Sequence, residues 1–71
     1  MEEERERLKV LLKHWIEHNE EHGEEFSEWA EKAKGFGEDT VRDNILMAVE
    51  QLEEANKFLL WAWERLIEEK F

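Results

Sequence analysis

The sequence predicts an all-α protein, an antiparallel hairpin of two long helices. Apolar residues recur at spacings of three and four over two stretches, glycines cluster only at Gly35 and Gly37 between them, and proline is absent. Because this spacing places side chains on one side of an α-helix, each stretch indicates one amphipathic helix. We expect a single domain over residues 1–71, with a first helix at about 2–34, a turn at 35–37 and a second helix at about 38–70.

The first helix has an apolar seam of heptad spacing. Its predicted inward positions are Leu8, Leu12, Trp15, Asn19, His22, Phe26, Trp29, Ala33 and Phe36. Gly23 conflicts with this helix, since glycine in a helix costs about 1 kcal/mol relative to alanine. The seam keeps its phase across Gly23, so we expect one helix, with a break at Gly23 and three helices in all as the alternative. If the glycine has a purpose, we expect close approach of another backbone beside His22.

The second helix follows a turn that contains two glycines, which suit the positive φ angles of a helix C-terminus. Its predicted inward positions are Val41, Ile45, Ala48, Leu52, Ala55, Leu59, Ala62 and Leu66. The alanines at 48, 55 and 62 recur every seven residues, and small side chains at that spacing let a neighbouring helix come close. The equal alternative is that alanine is there as the best helix former.

Apolar residues at the end of the hairpin away from the turn point in more directions than one partner helix can cover. They are Val10, Leu11, Leu12, Trp15 and Ile16 on the first helix and Phe58, Leu59, Leu60, Trp61, Trp63, Leu66 and Ile67 on the second. A chain of this size also buries only about 60% of its unfolded surface. We therefore expect a homodimer or higher homo-oligomer, most simply a four-helix bundle with C2 symmetry.

Composition disfavours several functions. The 20 acidic and 10 basic residues give a net charge of −10, which repels nucleic acids and anionic membrane surfaces. The longest apolar run, 58–63, is far shorter than the ~20 residues of a membrane span, and the acidic N-terminus is not a secretory signal, so we expect a cytoplasmic protein. Cysteine is absent, and Ser27 and Thr40 are the only hydroxyl nucleophiles. The sequence therefore favours a protein that is not an enzyme over an enzyme.

Three histidines fall within nine residues and form a tandem His-x-x-Glu pattern, in which His14, His18 and His22 each precede a glutamate by three positions. A spacing of four places successive imidazoles one helical turn apart on one side, a known spacing for metal chelation. His14 and His22 are about 12 Å apart along the axis. One ion would therefore take His18 together with either His14 or His22.

Carboxylates are expected to complete this site. Glu21 and Glu25 could bind the metal or fix the imidazole tautomer, and Glu54 should lie opposite the histidines, from the same chain or a dimer mate. Imidazole with carboxylate suits a divalent transition metal, such as zinc, nickel, cobalt, copper or iron, without choosing among them. The alternatives are a metal-free homo-oligomeric scaffold or protein-interaction module with a tryptophan-rich apolar end, and a pH switch based on clustered imidazoles.

The histidine segment also carries a family resemblance. Residues 15–22, Trp-Ile-Glu-His-Asn-Glu-Glu-His, followed by Phe26, Trp29 and Ala30, resemble a small uncharacterised prokaryotic, largely archaeal, family of helical hairpins. The resemblance extends from Leu8 to Leu66. It implies a natural protein with a purposeful histidine segment, and it implies no particular activity or metal.

Overall fold

Two long helices make up nearly all of the described chain. A computed structural model describes residues 2–68, in which α1 spans Glu2–Gly35 and α2 spans Asp39–Glu68. The helices pack against each other in a rod of 55 × 15 × 12 Å. The predicted helical hairpin is confirmed, and the predicted end of the second helix at residue 70 lies outside the described residues.

α1 is continuous through Gly23, so the three-helix alternative is wrong. A Cβ atom built on Gly23 would lie 4.0 Å from Cγ1 of Val49, an ordinary van der Waals contact. No backbone atom of α2 lies within 4 Å of that Cβ, so the expected close approach of another backbone is not met within the hairpin.

The turn is a helix C-cap built on Gly37. The Glu38 N–H donates to the Ala33 carbonyl (2.9 Å) and the Gly37 N–H donates to the Lys34 carbonyl (3.1 Å), the two bonds of a Schellman motif. Gly37 has a φ of 88°, a conformation that costs an L side chain free energy. The cap ends α1 and lets α2 begin two residues later.

The contact between the helices uses only half of the predicted seam. As predicted, alternate positions are buried or half-buried: Leu12, Asn19, Phe26 and Ala33 on α1, and Ile45, Leu52, Leu59 and Leu66 on α2. At most of the remaining predicted positions, the contact uses the residue that follows the predicted one in the chain. These following residues are Ile16, Gly23 and Ala30 on α1, and Val49, Asn56 and Trp63 on α2. The predicted inward positions Leu8, Trp15, Trp29, Phe36, Val41, Ala48, Ala55 and Ala62 are wrong, because these residues are exposed.

The two helices differ in which side chain the contact takes. Both sets of positions keep the heptad spacing, but the contact takes the smaller residue on α1, Ala30 rather than Trp29, and the larger residue on α2, Trp63 rather than Ala62. The tryptophans of α1 therefore lie beside the contact with α2 rather than within it.

The hairpin has a polar layer near its middle. The Asn19 side-chain N–H donates to Oδ1 of Asn56 (2.9 Å), and Nδ2 of Asn56 donates to the Ile16 carbonyl (3.1 Å). The polar interruption of the seam at Asn19 is thus satisfied by hydrogen bonds inside one hairpin. Paired amides of this kind fix the register of two helices.

Little of the chain is buried. Among residues 2–68 only Leu12, Ala30 and Ala33 are buried, and the accessible surface is 5859 Å². A typical monomeric protein of 8.7 kDa exposes about 4,700 Å². The hairpin therefore leaves much apolar surface uncovered.

One side of the hairpin carries most of the displaced seam, and we call it the open face. One groove on this side joins His22, Phe26 and Trp29 of α1 to Ala48 of α2, and a second joins His18 and His22 to Leu59. By heptad spacing, the open face consists of Leu8, Trp15, His22, Trp29 and Phe36 from the first half of the chain and Val41, Ala48, Ala55 and Ala62 from the second.

The cap at Gly37 gives a stability prediction. Gly37→Ala should lower the free energy of unfolding by about 1 kcal/mol, because the φ of 88° disfavours a side chain. Gly35→Ala is the matched control, since Gly35 has no positive φ and a Cβ there meets nothing within 4 Å. Urea unfolding followed by circular dichroism, at one protein concentration, checks both variants. Equal losses in the two would contradict the role of the cap.

The amide pair gives a second prediction. Asn56→Leu should cost about 1 kcal/mol, because Asn19 loses its partner. The double variant Asn19→Leu/Asn56→Leu should recover most of that loss, since no amide is then left unpaired. The same unfolding measurement checks this, and additive losses in the double variant would contradict it.

Candidate functional site

The three histidines form a continuous ladder of rings along α1. The His14 and His18 ring centroids are 5.7 Å apart at 89°, whereas those of His18 and His22 are 4.4 Å apart at 33°. His22 also stacks on Phe26, with 5.7 Å between centroids. The closest imidazole pair is therefore His18 with His22.

The ladder runs from solvent into the open face. His14 and His18 are exposed, and His22 is half-buried in the groove that it shares with Trp29 and Ala48. Since neighbouring histidines are four residues apart, each lies about 40° further round the helix than the last. The pair at 18 and 22 thus borders the open face, and His14 is turned furthest from α2.

The predicted carboxylate ligands are only partly brought to the histidines. Oε1 of Glu25 lies 3.7 Å from Nδ1 of His22, which is too long for a good hydrogen bond. Glu21 is exposed, and Glu54 is paired with the Lys57 ammonium at 3.3 Å. Within residues 2–68, no group of three histidine or acidic side chains is placed to hold a metal ion.

The side of α2 nearest the histidines contributes no carboxylate. Its open-face positions are Val41 and three alanines, with Asn44, Gln51 and Phe58 next to them. One hairpin therefore offers two adjacent imidazoles and one loosely held carboxylate, Glu25.

Asn56 is a structurally important residue that sequence reasoning missed. It pairs with Asn19, which the sequence did mark as polar within the seam. The signal was its place in the alternative heptad set on α2, four residues after Leu52.

The sequence model of a protein family, described as a domain of unknown function (DUF8180), matches residues 8–66. The chain belongs to this family. The part matched by the DUF8180 model begins at Leu8, includes all three histidines and the turn, and ends at Leu66 on α2. The DUF8180 match thus covers the contact positions from Leu12 to Leu66.

No curated protein and no solved structure matches this DUF8180 chain. Within residues 2–68, neither helix has a stretch long and apolar enough to cross a bilayer.

Proposed function

We propose that this protein is a self-associating helical module that binds a divalent transition metal through His18, with His22 as its partner. The observation that carries the proposal is the 4.4 Å separation of these two rings at the edge of the open face. Imidazoles one turn apart on a helix can converge on one ion. Glu25, beside His22, is the carboxylate best placed to join them.

Self-association is supported by the apolar residues that the hairpin leaves uncovered. Trp15, Trp29 and Phe36 on the open face are 41%, 53% and 67% exposed. Contiguous apolar surface of this kind marks an interaction site. A homodimer that forms a four-helix bundle would cover it, with C2 the commonest symmetry.

The ligand chemistry indicates the class of metal. Imidazole and carboxylate form a borderline donor set that suits zinc, nickel, cobalt, copper or iron. Nucleic acid and membrane surfaces are not proposed as partners, because the chain carries a net charge of −10. We place this function in the cytoplasm of a prokaryote, with the segment 15–22 as its centre.

A second candidate function is a metal-free scaffold or protein-interaction module. It is favoured by the apolar residues of the end away from the turn, where Val10, Phe58 and Trp61 are more than half exposed. Phe58 and Trp61 contact each other edge to face, with centroids 5.4 Å apart, and would present one aromatic surface to a partner.

Metal titration separates the two candidate functions. In calorimetry with zinc, nickel, cobalt and copper, His18→Ala should lower the metal affinity about tenfold or more, because it removes one of two converging imidazoles. His14→Ala is the matched control and should lower it less than about threefold, since His14 lies furthest from the open face. Absence of saturable binding by the wild-type protein would exclude the metal function and leave the scaffold.

Self-association has its own test in a pair of exposed apolar residues. Trp29 on the open face is 53% exposed, and Met47, on the side of α2 turned away from α1, is 54% exposed. Trp29→Glu should produce monomers in sedimentation at micromolar concentration, because it places a charge in the interface, whereas Met47→Glu should not. A wild-type protein that is monomeric under these conditions contradicts the proposal.

A further inference from the structure

The open-face residues on α1 and its cap form a stripe that is symmetric about His22. The stripe reads Leu8, Trp15, His22, Trp29 and Phe36, one residue every seven. The tryptophans are each seven residues from His22, and the two terminal apolar residues are each fourteen from it.

This symmetry is what an antiparallel helix pair with a two-fold axis requires. In such a pair, a residue before the axis meets the residue equally far beyond it on the other copy. With the axis at His22, Trp15 faces Trp29 of the second copy and Leu8 faces Phe36. Every apolar member of the stripe then meets an apolar partner.

Charge favours a second copy as the occupant of the open face. Leu11, His18, Glu25 and Lys32 flank the open face on α1, and Glu25 is the one acidic residue among these and the open-face positions from Leu8 to Phe36. The positions of α2 on the same side, from Val41 to Ala62, carry no acid. Two copies that each bear a charge of −10 repel each other over most of their surfaces, and the open face is where they can meet.

The whole hairpin also exposes more surface than a compact monomer of its mass. The accessible surface of 5859 Å² exceeds the value typical of a monomer of this mass by roughly 1,100 Å². A standard protein interface removes about 800 Å² from each partner. Pairing through one face is therefore enough to account for most of the excess.

The same pairing brings a third metal ligand to the histidines. Glu25 lies three residues beyond His22, so in the antiparallel partner it comes level with a point between His18 and His22. Within its own chain the Glu25 carboxylate is 62% exposed and 3.7 Å from His22, so it is free to move toward another copy. Two imidazoles and one carboxylate form a known three-ligand set for zinc, which leaves a fourth position open.

We propose that two copies pair α1 antiparallel about a two-fold axis at His22 and complete two metal sites, each from His18 and His22 of one copy and Glu25 of the other. This rests on the metal binding and self-association proposed above, and it identifies the partner and the missing ligand. One hairpin alone holds half of each site.

Mixing two defective variants tests whether the ligands come from different copies. His18→Ala/His22→Ala keeps Glu25, and Glu25→Ala keeps both histidines, so each should bind zinc at least about tenfold more weakly than wild type when alone. After joint unfolding and refolding in equal amounts, half of the dimers should be mixed, and each has one intact site. Tight zinc binding should return to about a quarter of the wild-type site number.

The outcomes of the mixing experiment are distinct. No return of tight binding in the mixture, while wild type binds zinc, overturns the shared site, because Glu25 then acts within its own chain. If wild type itself binds no zinc, the proposed metal function fails together with the shared sites, and only the pairing geometry is left to test.

A disulfide experiment tests that geometry without any metal. The chain has no cysteine, so His22→Cys introduces a single thiol that should form a disulfide-linked dimer under mild oxidation, since the two-fold axis places its copies side by side. Glu21→Cys is the matched control, because the preceding residue is turned about 100° away. Oxidation of His22→Cys no faster than the control overturns the pairing. Rapid cross-linking only in a mixture of His22→Cys with Ala55→Cys also overturns it, in favour of α1 packed on α2 of the second copy.

Discussion

The contact between α1 and α2, in which small residues of α1 are paired with larger residues of α2, determines the rest of this structure. Gly23 and Ala30 lie in the contact, and the amide pair between Asn19 and Asn56 fixes its register. On α2 the corresponding positions of the contact are the larger residues Val49, Asn56 and Trp63. Trp15 and Trp29 of α1 lie on the adjacent side, where one hairpin leaves them 41% and 53% exposed.

The helices and the turn could be predicted from the sequence, because their signals are local. Heptad spacing, the absence of proline and the paired glycines each act within a few residues, and the structure has α1, the cap at Gly37 and α2 where these signals placed them. The contact surface could not be predicted in the same way. Two sets of residues on each helix keep the same spacing, and hydrophobicity does not distinguish them, since the contact takes Ala30 rather than Trp29 on α1 but Trp63 rather than Ala62 on α2.

The candidate site shows the same limit. The imidazole ladder follows from a spacing of four on one helix, so its members could be named from the sequence. The residues across from it depend on register and rotation, which spacing alone does not give. Glu54, which was expected opposite the histidines, pairs with Lys57 on its own helix, and Asn56 pairs with Asn19 because the contact uses the second heptad set of α2.

Metal binding and assembly are linked in the proposed arrangement. A metal that binds the paired state better than the single hairpin must also tighten the pairing, by the reciprocity of linked equilibria. A divalent cation beside the Glu25 carboxylate would offset its negative charge and so reduce the repulsion between this carboxylate and the acidic second copy. His22 is the polar residue in the middle of the open face, and burying it without a partner costs free energy. With a bound metal, the same residue would stabilise the assembly.

The small number of buried residues affects the amount of folded protein that accumulates in a cell. With only Leu12, Ala30 and Ala33 shielded among residues 2–68, a lone hairpin has little protection against unfolding. If copies shield one another, the folded fraction rises with total chain concentration. Proteases would clear chains made at low levels and spare those made at high levels. Synthesis rate would then act as a threshold, below which almost no working protein accumulates.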